Sequence, residues 1–440
     1  MKFYFMHIFL FLFITGIAFS QTNSSDSLSV DQAVHMVLEN NPAIQNAIHS
    51  IDASKARVEE SKSSLYPEAG ISLNYTRLGP VASISFPGFG NFDLFPADNF
   101  DEHIGVSATI FDFDKRQKNI DLALTKVQSF NDRLELVKQG LAYRTIQTFY
   151  TILFLKRSIA VQDEAINTLK EHLDITKKKV EAGTATNFDV LTTNVRVSSA
   201  EEEKINLQNS LANAEITLKQ LIGLPQHAKV EPSGDFTEAP AEYNIDSLVS
   251  AAMQNRFEIK AANDEIATEQ AQDNVVSAIY NPTVSVAAAY GVKNGYVPDL
   301  TAWHGNYVAA VQVEVPLSGV IPYFGGYREQ SMHEETSANI KAAESYKSDV
   351  ILQIRSDVQK GVADLRSSID RFNTTDAAVH QAESALDLAK IRYEAGTVTN
   401  LDLLDAETSL AQAKLMRLEA LYKYVIGRYE LLQAVGEKVW

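Results

Sequence analysis

The chain is written twice. Residues 181–191 read EAGTATNFDVL and residues 394–404 read EAGTVTNLDLL, identical at eight of eleven positions. The same spacing sets Ile222-Gly223 against Val435-Gly436, and further upstream Val30-Asp31 answers Ile245-Asp246, Pro67 answers Pro282 and Tyr75 answers Tyr290. A repeat of this length far exceeds the ~20–50 residues of a solenoid unit, so it marks a duplicated half and not an array. Whatever one half folds into, the other must fold into too. The halves occupy residues 21–223 and 244–440, and LPQHAKVEPSGDFTEAPAEY (224–243), rich in Pro and polar residues, reads as a linker between them.

Each half runs through the same elements. A helix is expected over about 31–65 and again over about 246–280, ending at Tyr66-Pro67 and Asn281-Pro282, because the residue before a proline is driven out of the helical region. Two strand-like stretches follow, separated by a loop. A proline-free stretch then runs from about 113 to 182 and from about 327 to 395, closing on Gly183 and Gly396, both placed as helix C′ glycines. A last helix fills 188–222 and 401–435. At 1.5 Å per residue the proline-free helices reach roughly 100 Å, which no compact single core accommodates. The two shorter helices of each half, stacked end to end, span about the same length.

The strand-like stretches 68–76, 103–111, 283–292 and 307–315 alternate strictly. Ala69, Ile71, Leu73 and Tyr75 share one face of the first, with Ile104, Val106, Ala108 and Ile110 in the second. Val284, Val286, Ala288, Tyr290 and Val292 follow in the third, and Tyr307, Ala309, Val311, Val313 and Val315 in the fourth. A half-buried soluble sheet alternates in the same way. The opposite faces are mostly small residues, as a narrow lumen requires, and Tyr75, Tyr290 and Tyr307 lie near strand ends, where interfacial aromatic girdles sit. A membrane barrel needs at least about eight strands, because open edges are not tolerated in lipid. Four strands per chain therefore require association; two copies supply eight and three supply twelve.

Residues 1–20, MKFYFMHIFLFLFITGIAFS, carry one charge at Lys2, an apolar run and the small residues Ala18 and Ser20, the pattern of a cleaved export signal. The 39 basic and 56 acidic residues leave a net charge of −17, which argues against a nucleic-acid partner. The absence of cysteine excludes disulfides, thiolate metal ligands and a cysteine-linked lipid.

In this order the residues resemble the TolC family of outer-membrane efflux ducts. The resemblance rests on the duplicated halves, two strands per half, the mid-chain linker and the Gly-Thr-x-Thr-x-x-Asp turns. Pro316-Leu317 and Phe324-Gly325-Gly326-Tyr327-Arg328 add to it, although Ser318–Tyr323 intervenes as an insertion. The first half has Ile110-Phe111-Asp112 and Lys115-Arg116 at this junction and lacks the glycine pair. The resemblance implies a mainly α fold with membrane β-structure. Its parts are a long-helix α-barrel forming a periplasmic tunnel and four strands per chain in a homotrimeric, 12-stranded barrel among outer-membrane lipid. It also implies a periplasmic adaptor (a membrane fusion protein) and an inner-membrane transporter as partners, for efflux of small toxic compounds or for protein secretion.

Thr186 and Thr399 are placed as helix N-caps, with Asp189 and Asp402 three residues on completing a variant capping box. Asp405 lies on the same helix face as Asp402 and is not explained by capping. In the resembled family the positions of Asp402 and Asp405 line the tunnel mouth, where three chains would set two rings of carboxylates that select cations, with raised pKa values from like-charge crowding. Tyr393 and Asp189 match two gate positions. The family's gate arginine falls on Val398, so a different closed-state lock is expected. Gly183, Thr184, Gly396 and Thr397 match the tip residues at which the adaptor docks. The segment 80–100 carries five phenylalanines and reads as an external loop.

No catalytic constellation stands out. The nine histidines show no ligand spacing, His333-Glu334-Glu335 reads as isolated helix-surface residues, and no cofactor is expected. The rival reading is a periplasmic coiled-coil scaffold or tether, which shares the long helices but has no use for alternating strands.

Overall fold

A computed structural model describes residues 27–236, 243–317 and 327–440. The export signal at 1–20, residues 237–242 of the linker, and Ser318–Tyr323 with Phe324-Gly325-Gly326 lie outside the described residues.

The first half contains α1 (Val30–Asn40), α2 (Pro42–Ser63), β1 (Glu68–Arg77), β2 (Ser83–Phe86), β3 (Gly90–Asp93), β4 (Asp98–Phe111), α3 (Lys115–Glu181) and α4 (Asn187–Leu221). The second contains α5 (Ile245–Asn255), α6 (Phe257–Val276), β5 (Thr283–Lys293), β6 (His304–Glu314), α7 (Tyr327–Glu394) and α8 (Asn400–Val435). The proline-free stretches are thus single helices of 67 and 68 residues. In the upper column α2, α3, α6 and α7 lie side by side; in the lower column α4 packs on α3, and α8 on both α3 and α7.

The opening helix of each half differs from expectation: it is two helices. In the first half the break falls at Asn41, which stands before Pro42 and has extended backbone (φ −71, ψ 126). In the second it falls at Arg256 (φ −64, ψ 125), with no proline to impose it. A shared tertiary contact accounts for both. The Asn41 amide donates to the carbonyl of Leu221 (2.8 Å), and the Arg256 guanidinium to that of Ala434 (3.2 Å). Each break residue thereby satisfies an orphan carbonyl at the end of the last helix of its own half. Gly223 and Gly436, both at positive φ, pass so close to the breaks that an added Cβ would lie 2.9 Å from Asn40 or from Arg256. The upper and lower helices of each half join at these points.

The main apolar core surrounds this mid-height joint. It gathers Val34 and Val37 of α1, Ile146, Phe149 and Ile152 of α3, Leu218 of α4, Ile354, Val358 and Leu365 of α7 and Tyr424 through Leu431 of α8. The described part of the linker is strapped onto the core and is not free. Leu28 pairs with Pro232, Phe236 is buried against Tyr150, and Arg157 both covers the Phe236 ring and binds Asp235 at 2.6 Å.

The sheet order is β1-β4-β5-β6, antiparallel throughout, so β1 and β6 are open edges within one chain. Strand β4 begins at Asp98, ahead of the expected stretch. The phenylalanine-rich segment is only partly a loop: Ser83–Phe86 and Gly90–Asp93 form a separate hairpin, with Phe86 against Phe92. Ile71, Ile104, Tyr290 and Tyr307 fall in one cross-strand row, and all four are exposed. The other face carries small and polar residues, including His103 against Asn306 (2.9 Å) and Lys293 against Asp101 (3.1 Å). Among the described residues no helix is long and apolar enough to cross a membrane.

Candidate functional site: the helix tip

At the end of the column farthest from the sheet, α3 turns into α4 and α7 into α8 by the same device. Gly183 and Gly396 take the left-handed conformation (φ +70 and +72). Their N–H groups donate to Val180 and Tyr393, and those of Thr184 and Thr397 to Lys179 and Arg392. This is a Schellman closure in both turns. The Thr184 and Thr397 hydroxyls add a second bond to the same two carbonyls, at 3.1 Å each. A Cβ on either glycine would meet nothing within 4 Å, so both turns face open space.

The capping boxes form as the sequence indicates. Thr186 and Thr399 cap α4 and α8, and Asp189 and Asp402 accept in return from both the backbone N–H and the hydroxyl of their threonine. The Thr399 hydroxyl, helped by its backbone N–H, holds the Asp402 carboxyl below the usual carboxylate range. The raised value expected of a crowded ring is therefore absent within one chain, where the neighbouring carboxylates that would cause it are not contributed. Asp405 binds Arg196 of α4 at 3.1 Å, a partner the sequence reading did not name.

Tyr393 points into the protomer. It is buried and its hydroxyl donates to Asn400 Oδ1 at 3.4 Å. The Lys179 ammonium sits 3.6 Å over its ring and donates to its carbonyl at 3.1 Å. Val398, in place of the expected arginine, packs with Leu386, Tyr393 and Leu403.

The sequence reading missed the centre of the tip. His172 of α3 is almost fully buried and stacks on Tyr393 of α7 with ring centroids 5.4 Å apart. Its Nε2 lies 2.7 Å from Asn400 Oδ1 and its Nδ1 3.3 Å from Glu407 Oε1, both on α8. The Asn400 amide nitrogen reaches Thr193 Oγ1 (3.3 Å) and the Asp189 carbonyl (3.5 Å) on α4. Burial pushes His172 toward a lower pKa, but the hydrogen bonds it donates to Glu407 and Asn400 outweigh it and hold the imidazole above its ordinary value. The signal was spacing: His172 falls in the buried stripe Ile166, Leu169, Leu173 and Thr176, and Glu407 three residues after buried Leu404. A polar side chain at a core position of a helix needs a partner.

His333 is likewise not isolated. It binds Asp273 of α6 at 2.8 Å, and the Thr336 hydroxyl first, then His333, holds that carboxyl below the usual range. Among the described residues no cluster of His, Asp and Glu could hold a metal ion.

A repeated column of roughly 100 Å helices thus carries a sheet with an exposed apolar row on one face. Residues 33–224 and 248–437 match the family described as outer membrane efflux protein, one match for each half, and the chain belongs to that family. It is similar to outer membrane protein TolC of Salmonella enteritidis (22% identical, covering 95% of this chain and 83% of the relative). It is also similar to TolC of Escherichia coli K12 (22%, 95% and 84%). The Campylobacter jejuni CmeC outer membrane channel superposes on it with a TM-score of 0.78 at 15% identity, covering 92% of this chain and 85% of that one. The chain is an outer-membrane exit duct of the efflux or secretion type.

Proposed function

We propose that three copies of the chain assemble into one passive duct, with a 12-stranded barrel in the outer membrane and a helical tunnel extending into the periplasm. The observation that carries this reading is the four-stranded sheet, with an exposed apolar row on one face and open edges at β1 and β6. Such edges and such a face are unstable in water and untenable in lipid unless copies close them. A periplasmic scaffold would have no need of them. The export signal at 1–20 is removed on the way, and the barrel holds the mature chain in its membrane.

The tip is the gate and the docking site. Asp402 and Asp405 of three chains form two acidic rings at the periplasmic mouth, with Asp189 and Tyr393 supporting the turns behind them. Arg196 offsets part of the Asp405 charge, so Asp402 is the stronger ring. Gly183, Thr184, Gly396 and Thr397, which face open space, receive a periplasmic adaptor, and an inner-membrane transporter supplies the substrate.

The purified, detergent-solubilised protein is expected to run as a trimer and to give cation-selective single-channel conductance in planar bilayers. Asp402→Ala combined with Asp405→Ala should reduce that selectivity severalfold, as removal of acidic rings does in pores. Unchanged selectivity in the double variant sinks the ring assignment, and a soluble, non-conducting protein sinks the duct.

A further inference from the structure

We propose that His172, Asn400 and Glu407 are the lock that holds the two tip helix pairs of a protomer together, and that one proton shared by His172 and Glu407 keeps it closed. The inference rests on the reading of the tip as a gate. It supplies the fastening that Val398 cannot.

The hydrogen-bond inventory fixes where protons must be. The Asp189 carbonyl only accepts, so the Asn400 NH2 faces α4 and its Oδ1 faces His172. Nε2 of His172 must then carry a hydrogen. A carboxylate also only accepts, so the contact between Nδ1 and Glu407 Oε1 needs a second proton, on the imidazole or on the carboxyl. Once that proton leaves for solvent, a bare ring nitrogen faces a bare carboxylate oxygen in a buried site. Glu407 Oε2 is buried with no hydrogen-bond partner, so no other donor compensates the charge. The contact then turns from attraction to repulsion.

The groups facing His172 come from all four helices: Glu407 and Asn400 of α8, Tyr393 of α7, Thr193 and the Asp189 carbonyl of α4 through Asn400, and Lys179 on α3 itself. Lys179 opposes the proton; Glu407 and Asn400 favour it and prevail. The Asp189 carboxylate is turned away, onto Thr186. With the folded value raised, the contribution of the lock is complete below the ordinary histidine range of about 6.5 and is lost as the pH climbs through the raised value. Beside the lock, toward mid-height, a half-open cavity of about 400 Å³ separates the helix pairs, between Leu169 and Ala200 on one side and Leu386 and Leu410 on the other. Apolar contact across the pairs is confined there to Ile166, Leu169, Val197 and Ala200 against Leu404, so the polar contact adds to a small apolar seam in holding α3/α4 to α7/α8.

Glu407→Gln separates charge from structure, because a glutamine amide donates to neutral Nδ1 without any titrating proton. Conductance of the trimeric full-length chain in planar bilayers is compared at about pH 5.5 and about pH 8.5, on either side of the histidine range. The wild type should open severalfold more at the higher pH, while E407Q stays low at both. His172→Gln, equally non-titrating, should also be flat and serves if E407Q does not assemble. A wild-type conductance that does not change with pH, or variants that titrate as the wild type does, overturns the lock and leaves the duct standing. A wild type that forms no channel at any pH overturns both.

Discussion

At mid-height α3 buries Ile146, Phe149 and Ile152 in the same core that takes Ile354, Val358 and Leu365 of α7. Several turns further along the same two helices, toward the tip, α3 mixes buried Gln162, His172 and Thr176 with Ile166, Leu169 and Leu173, and α7 offers Leu386 and Tyr393. One pair of helices is thus fastened in two ways. The middle is dry and close-packed, which makes separation there costly at any pH. The tip combines two small apolar clusters with a few directional bonds, which are specific and can be undone one at a time. A duct that opens at one end and holds its shape elsewhere requires this gradient.

Four substitutions, in three tests, probe the gradient in decreasing order of effect. Ile354→Ala removes a side chain that is 1% exposed in the middle of the core and should cost about 2–5 kcal/mol of stability, read as the unfolding midpoint of the solubilised protein. A loss close to zero would mean that the middle is not the rigid part. Second, Gly436→Ala and Gly396→Ala impose the same left-handed strain in two different surroundings. At the open tip the cost should be about 1–2 kcal/mol from backbone strain alone. At mid-height the new methyl lies 2.9 Å from Arg256 and Asn255, adding about 1–3 kcal/mol of overpacking. Equal losses would remove the distinction between the two turns. Third, Asp264 on α6 is pushed up to about 6, by burial first and then by its hydrogen bond with Asp132 on α3. The raised value makes its contribution complete at acid pH and lost as the pH rises toward and through 6. Asp264→Asn should therefore gain roughly 1 kcal/mol at neutral pH, discounted for partial exposure, and nothing near pH 4. A gain that does not vary with pH would assign the effect to packing.

Much of the frame was legible in the sequence because its signals are local. Strict alternation placed four strands, missing only the start of β4 at Asp98 and of β6 at His304. The proline-free runs gave both long helices to within two residues, and Thr186 with Asp189 announced a capping box. What stayed hidden depends on distant partners. Arg256 breaks a helix with no proline because the end of α8 supplies a carbonyl for it. The hairpin at 83–93 was masked by turn-rich composition. His172 was one of nine histidines without ligand spacing until the fold set Asn400 and Glu407 beside it. Asp402 and Asp405 stand one turn apart at the start of α8, but the Arg196 partner of Asp405, on another helix, could not be inferred from their spacing.

The strand order has a consequence for timing. The joint between the halves runs down the middle of the sheet, where Ile104 of β4 lies opposite Tyr290 of β5, with α3 through α6 strung between them. Pairs so far apart along a chain form late, after local structure has shortened the search. β1 meets β4, and β5 meets β6, within their own halves. The two hairpins meet each other only once the column beneath has brought their bases side by side. The helices therefore act as the jig on which the membrane part is assembled, and the surface least compatible with water is the last to be completed.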